Sequence, residues 1–287
     1  MQMMGMDIDK IMAQMSPCLD THDLDSRAIR SHLGDCPWRV YLFSEVDSTN
    51  TRLKEMAKVG SPAGTVLVAD RQTGGRGRLG RSFLSPGGVG VYLSALIRPD
   101  CTPTELMHLT CAVAVAMCDA VENAFGFRPG IKWTNDLVVG HKKLGGILTE
   151  LGLDLKTGRV SYAILGIGIN CGQTETDFDE SIRDMATSVR MVLGREADRN
   201  RLIAEMVLAL ERMDRTLLVS PDAMLGRYRA DCITLGREIS ILRGDEVRHA
   251  RALDIDREGG LIVRYDSGEI GTVTSGEVSV RGLYGYI

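Results

Sequence analysis

Several common structural signals are missing from this chain of 287 residues, and each absence removes a class of protein. No CxxC pair occurs among its seven cysteines, Cys18, Cys36, Cys101, Cys111, Cys118, Cys171 and Cys232. Their number is odd and their spacing unclustered, which excludes a disulfide framework or a zinc cluster and predicts buried, reduced thiols. No apolar run of signal-peptide length follows the methionine-rich start, because acids interrupt it. The most apolar helical stretch, around Met107 to Val121, carries His108 and Asp119 and is expected to be too short to span a bilayer. A soluble, cytoplasmic protein without a membrane partner is therefore expected. An excess of basic charge is also lacking: 34 Lys and Arg against 38 Asp and Glu leave a net charge of −4. DNA is not the default partner of such a chain. Internal repeats and low-complexity tracts are absent too. With 44% hydrophobic and 25% charged residues, the chain is neither disordered nor collagen-like.

What is present divides the chain into three textures, and the length suits one large domain or two unequal ones. Residues 1–37 are polar and weakly patterned, with a short helix expected near Ser26 to Leu33. From Arg39, β-rich runs (Arg39–Phe43, Thr65–Ala69, Val91–Arg98, Gly146–Leu151, Tyr162–Ile169) alternate with helical stretches. Thr102, Pro103 and Glu105 read as a capping box, with Leu106, Leu109, Val113, Met117 and Val121 following at helical spacing and Gly126 as the stop. Further helices are expected from Asp198 to Leu217 and from Ser220-Pro221. This mixture predicts an α+β (α/β) body with a central sheet. After about Ile233, five short runs separated by Gly- and Asp-rich turns predict a small β-barrel: Glu238–Leu242, Val247–Ile255, Leu261–Tyr265, Gly268–Val273 and Val278–Arg281. The domains expected are an extension of uncertain role (1–37), a body (38–232) and a barrel (233–287).

Four segments break the average texture. Arg71 to Arg81 holds four arginines (Arg71, Arg76, Arg78, Arg81) and four glycines (Gly74, Gly75, Gly77, Gly80), with no acid. Glycine admits close backbone approach, and arginine offers a planar fork for carboxylate or phosphate. The segment reads either as a mobile anion-binding loop or as a solvated arm touching nucleic acid. Its spacing is neither a P-loop nor a dinucleotide fingerprint. Gly130 to Asp136 followed by Lys142 to Leu148 reads as a hairpin gathering Lys132, Asp136 and Lys143, or as an ordinary exposed turn. Gly166, Gly168 and Asn170 end a glycine-interrupted strand, a sign of close ligand approach or of a bulge. Asp47, Ser48, Thr49 and Asn50 either cap a helix or also point hydroxyl and amide groups into a pocket.

In this order and spacing the segments resemble the biotin protein ligase family over about Arg39 to Ile287. Its pattern DSTN, GRGRxGR, KWPND, KLxGIL, GxGIN reads here as Asp47–Asn50, Gly75–Arg81, Lys132–Asp136, Lys143–Leu148 and Gly166–Asn170, and Glu277 to Gly282 looks like its terminal barrel. The resemblance implies a biotin/lipoate-ligase-like body with a central mixed sheet and an SH3-like C-terminal barrel. It also implies an activity: ATP and biotin, with Mg2+, would give biotinyl-5′-AMP, from which biotin passes to a lysine of a biotin carboxyl carrier domain. Lys143, Arg76 and Arg78 would be catalytic. The biotin site would comprise Ser48, Thr49, Asn50, Gln72, Gly75, Arg76, Gly77, Arg78, Lys143, Gly145 and Gly146. The nucleotide would meet Arg78, Arg81, Lys132, Trp133, Asn135, Asp136, Lys143, Gly168 and Asn170, and no metal ligand is singled out. Three positions depart from the pattern: Thr134 stands for the usual proline, Leu79 for an arginine found in some members, and Phe83 for a common tryptophan. About 38 residues before the body are too few for the winged helix-turn-helix of bifunctional members, so a short-form ligase without a DNA role is expected. Dimerisation is open. The rivals are a lipoate or octanoate ligase, a nucleic-acid-binding module and a biotin-binding pseudoenzyme.

Overall fold

In the computed structural model, residues 8–13, 15–17, 24–274 and 279–282 are described. Cys18, Glu277 and Val278 lie outside them. Helix α1 (Ile8–Met12), strand β1 (Ser16–Pro17) and α2 (Ser26–Leu33) precede β2 (Arg39–Val46), α3 (Thr49–Lys58), β3 (Thr65–Gln72) and β4 (Gly90–Ile97). Then come α4 (Leu109–Phe125), β5 (Gly130–Lys132), β6 (Asp136–Val139), β7 (Lys142–Leu153) and β8 (Val160–Asn170). Helices α5 (Glu180–Arg183), α6 (Val189–Leu193), α7 (Arg199–Thr216) and α8 (Pro221–Asp231) follow. The chain closes with β9 (Glu238–Arg243), β10 (Glu246–Ile255), β11 (Leu261–Tyr265), β12 (Ile270–Val273) and β13 (Ser279–Gly282).

The first eight strands form one mixed sheet in the order β1-β2-β3-β4-β8-β7-β6-β5. Only β2 and β3 run parallel, joined through α3; the remaining pairs are antiparallel. The last five strands make an antiparallel sheet ordered β12-β11-β10-β9-β13, the SH3-like unit. The expected α+β architecture is therefore observed.

The capping box forms, but on a shorter element than the pattern predicts. Glu105 accepts from the Thr102 N–H at 2.8 Å and serves a 3-10 turn, Thr104–Leu106, before the chain breaks at Met107–His108 and α4 begins. Helix α4 is buried almost all round, which its uniform apolar sequence allows, and it ends at Gly126 in the left-handed region (φ 79°). The expectation that this stretch is too short for a bilayer needs correction. Thr104–Phe125 spans 22 residues and is long and apolar enough by length and composition, yet 72% of its apolar 18-residue window is buried within the fold, as in a core helix.

The described residues ahead of β2 pack on the body. Leu24, Ile29 and Leu33 enter the main core, and the Asp25 N–H donates to Asn200 at 2.9 Å at the start of α7. Ile11 and Met15 join Leu53 and Met56 of α3 in a second cluster. Cys101, Cys111, Cys118, Cys171 and Cys232 are buried free thiols and Cys36 is half-buried. Burial pushes the Cys111 and Cys171 thiols up to about 12.

Candidate functional site

Parallel strands β2 and β3 end side by side at Val46 and Gln72, and the link between β2 and α3 crosses there. Ser48 caps α3, its hydroxyl accepting from the Thr51 N–H at 3.5 Å, so the capping reading holds. Ser48, Thr49 and Asn50 are all buried, and their polar groups meet partners from neighbouring strands. Gln72 Oε1 accepts from the Thr49 N–H at 2.9 Å and lies 3.1 Å from the Thr49 hydroxyl. Ser94 of β4 lies 2.6 Å from Asn50 Oδ1 and 2.7 Å from the Thr49 hydroxyl. Having one proton, Ser94 donates to Asn50, which can only accept at that atom. Asn50 Nδ2 donates to Glu150 at 3.1 Å and to the Leu148 carbonyl at 3.3 Å.

This polar cluster needs a strand without side chains beneath it. A Cβ at Gly166 would stand 2.1 Å from Asn50 Oδ1, so glycine there is what lets Asn50 lie flat on β8. Two residues on, a Cβ at Gly168 would stand 2.5 Å from the Phe83 ring, and two further on comes Asn170. Alternate residues share one face of a strand, so Gly166, Gly168 and Asn170 form one continuous floor. Neighbouring β7 adds Gly146, paired with Gly168. A Cβ at Gly145, on the opposite face, would meet the Gly168 carbonyl at 2.5 Å.

The arginine-glycine segment folds as a ladder beside this floor. The Gln72 N–H donates to the Ser85 carbonyl at 3.1 Å, Phe83 to Gly75 at 2.9 Å and Gly77 to Arg81 at 2.7 Å. Its tip is a 3-10 turn, Arg78–Gly80, with Leu79 at φ 56°. A Cβ at Gly75 would stand 2.3 Å from the Phe83 carbonyl, so the ladder tolerates no side chain there. Arg78 donates to Asn135 Oδ1 at 2.7 Å and is half-buried; burial pulls its pKa down while Asp136 opposes that shift. Arg76 points the other way, 3.9 Å from Glu150, and Arg81 is exposed.

The expected hairpin from Lys132 to Lys143 is corrected to a three-strand meander. Asp136 is not in the turn but opens β6, where it pairs with Lys132 on β5 and Gly146 on β7. The tight turn before it carries Trp133, Thr134 and Asn135, with a cis Trp133–Thr134 peptide. Main-chain contacts hold that turn despite the missing proline: the Trp133 N–H donates to Thr234 Oγ1 at 2.9 Å and the Tyr228 hydroxyl to the Thr134 carbonyl at 3.2 Å. The Trp133 indole N–H donates to the Gly259 carbonyl at 3.0 Å, away from the cleft. Lys143 and Asp136 pair at 2.7 Å beside Gly146, and Lys132 is buried. The sequence reading thus gathers into two polar ends joined by a glycine floor.

Pattern reading missed Glu150, Ser94, Ser85, Gln173 and Thr187. A lone acid in the Gly146–Leu151 run and a lone serine in apolar β4 were signals for the first two. Burial pushes the Glu150 carboxyl up, but hydrogen bonds from Lys54 and Asn50 and the charges of Lys54 and Arg76 outweigh it, leaving its pKa below the ordinary value. Gln173 and Thr187 lie in a polar stretch with no pattern to mark them.

Residues 42–170 match the family described as "Biotin/lipoate A/B protein ligase family", and residues 234–281 match "Biotin protein ligase C terminal domain". Among similar proteins is the "Bifunctional ligase/repressor BirA" of Bacillus subtilis, 36% identical over 226 residues, covering 78% of this chain and 68% of that protein. The "Biotin--[acetyl-CoA-carboxylase] ligase" of Mycobacterium tuberculosis is 30% identical over 265 residues, 89% of this chain and 95% of that protein. A solved structure of "Biotin protein ligase from Aquifex aeolicus in complex with biotin and ATP" superposes with a TM-score of 0.72 at 31% identity, covering 85% of this chain and 99% of that one. The chain belongs to the biotin protein ligase family.

Proposed function

We propose that this protein activates biotin with ATP and transfers it to a lysine of a biotin carboxyl carrier domain. In the first step a biotin carboxylate oxygen attacks the α-phosphorus of ATP, the bond to the bridging oxygen breaks and pyrophosphate leaves. In the second, the neutral ε-amine of the acceptor lysine attacks the acyl carbon of biotinyl-5′-AMP, AMP departs and the amine gives up a proton. Both steps crowd negative charge, so fixed positive charge lowers their barriers.

The observation that carries this reading is the pair Lys143–Asp136, 2.7 Å apart against Gly146, on the same glycine-lined strands as the Asn50 cluster and next to Asn135. On this reading Lys143 exchanges Asp136 for the reacting carboxylate and α-phosphate. Ser48, Thr49, Asn50 and Gln72, with Gly75 and Gly77 of the ladder, would hold biotin. Arg76, Arg78 and Arg81 would close on the adenylate, and Lys132, Asn135, Asp136, Gly168 and Asn170 would serve the nucleotide, with Trp133 fixing their turn rather than touching the ligand. Gly146 keeps the path beside Lys143 free of a side chain, and Gly145 lets β7 lie close against β8. Asp136 is the carboxylate at this end, and Mg2+ takes few protein ligands and several phosphate and water oxygens. Asp136 would hold it, directly or through water, and it would neutralise phosphate charge, whereas the Asn135 oxygen is taken by Arg78.

We assign both substrate steps to residues 38–232 and a supporting role to 233–287. A cytoplasmic location and the lack of a DNA or membrane role belong to the same proposal, with the net charge of −4 as support. Salt-sensitive, specific binding to a promoter fragment would contradict the DNA part.

Pyrophosphate exchange into ATP tests the reading when run with biotin, lipoate and octanoate separately. Exchange with biotin alone is expected, falling by about a thousandfold or more in Lys143→Ala because a charge aimed at the transition state is lost. Exchange with lipoate or octanoate alone would assign the site to that rival chemistry, and no exchange at all would leave a binding protein.

A further inference from the structure

Strand β8 stops at Asn170, and the last β7 residue that it pairs is Gly145, with Ile169. Lys143 lies beyond that limit, so its main chain would be unpaired on this side. A strap formed by residues 185–187 takes over: the Lys143 N–H donates to the Met185 carbonyl at 2.7 Å, and the Thr187 N–H donates to the Lys143 carbonyl at 2.9 Å. Two polar contacts fix the strap. Asn170 Nδ2 donates to the Thr187 carbonyl at 3.0 Å, and the Ser188 hydroxyl donates to the Gln173 carbonyl at 2.6 Å. Behind Asn170 lies the Gln173 side chain, 3% exposed, with Nε2 donating to Asn170 Oδ1 at 3.3 Å.

The directions of these bonds are forced. The Thr187 carbonyl can only accept, so the nitrogen end of the Asn170 amide must face it. That turns Asn170 Oδ1 toward Gln173, which must then present its own nitrogen. Among the described residues, Gln173 Oε1 is consequently left buried with no partner. An orphaned buried acceptor costs about 1–3 kcal/mol, so Gln173 is a poor choice for filling space; methionine would fill it without that cost. Its remaining use is the one bond it donates.

We propose that Gln173 is a positioning residue: it locks the amide of Asn170 so that one Nδ2 hydrogen holds the strap behind Lys143 and the other is kept for the nucleotide. This rests on the reading of Asn170 as a nucleotide contact. Removing the lock lets Asn170 rotate, which weakens ATP more than biotin.

The test uses the full chain, with melting temperature and the KM for ATP and for biotin measured by pyrophosphate exchange. In Gln173→Met the melting temperature is expected to hold or rise, the KM for ATP to increase about tenfold, as for one lost hydrogen bond, and the KM for biotin to stay within about twofold. Asn170→Ala should show the same ATP defect, and the double variant no further loss. Gln173→Asn, an amide one methylene too short to reach Asn170, should reproduce the ATP defect if the methionine variant folds poorly. Additive losses in the double variant, equal increases in both KM values, or an unchanged ATP KM in both Gln173 variants would overturn the assignment while leaving the nucleotide role of Asn170 standing. An unchanged ATP KM in Asn170→Ala would overturn that role and the inference together.

Discussion

Glu150 illustrates how one side chain can carry more of the site than its sequence context announces. It is the only acid in the stretch Lys142–Leu151, on β7, and it takes Lys54 at 2.9 Å, Asn50 at 3.1 Å and, more distantly, Arg76. It thereby ties the cap of α3 to the arginine ladder. Because its folded pKa is depressed, its contribution to stability is present above the ordinary glutamate value of about 4.3 and is lost as pH falls below it. Glu150→Gln should cost about 1 kcal/mol near pH 7, a figure kept small by the partial exposure of Lys54, and should flatten the acid side of the melting-temperature curve. An acid limb as steep as the parent's would show that the carboxylate does not carry this term. At this scale the sequence was readable where glycine or charge broke a pattern: Gly166 was marked, although what it yields to, Asn50, sits 116 positions earlier.

Elements were readable from periodicity and punctuation, with two instructive exceptions. The Lys132–Lys143 stretch divides into β5, β6 and β7 because Asp136 finds pairing partners on both sides, and a hairpin reading has no way to anticipate the second. The arginine-glycine segment reads as a loop because glycine lowers strand propensity, yet backbone bonds from Gln72, Gly77 and Phe83 fold it into a ladder. Its tip reaches the turn before β6 through a bond from Arg78 to Asn135. Biotin and ATP together should therefore slow trypsin cleavage at Arg76, Arg78 and Arg81 by about tenfold, by depopulating open forms of the ladder. Equal cleavage with and without ligand, followed by mass spectrometry of the fragments, would count against closure of this element on its substrates.

Across the whole molecule, the core runs without interruption from the body into the C-terminal sheet. Cys111 and Leu109 of α4 share one cluster with Ile255, Leu261 and Val263, and the Glu258-Gly259-Gly260 turn carries the carbonyl that receives the Trp133 indole. The Arg229 side chain adds a bond to Asp254 at 2.8 Å. A change of composition near residue 232 marks a boundary in sequence, whereas packing couples the two parts. Scanning calorimetry should accordingly give a single cooperative transition, and Trp133→Phe should lower its midpoint by the equivalent of about 1–3 kcal/mol, because the Gly259 carbonyl loses a buried donor. Two resolved transitions would show that the C-terminal unit melts independently.

The sequence by itself determined the class of fold, most of the longer strands and helices and the family, because those depend on local periodicity, turn residues and short motifs whose members are neighbours in the chain. Only the tertiary structure decided which motif faces which: Asn50 on Gly166, Arg78 on Asn135, the 185–187 strap on Lys143, and Gln173 behind Asn170. Those pairings follow from strand order and register, which bring together residues as far as 116 positions apart. A hydrogen-bond direction or the space that a missing Cβ leaves exists only once both partners are in place.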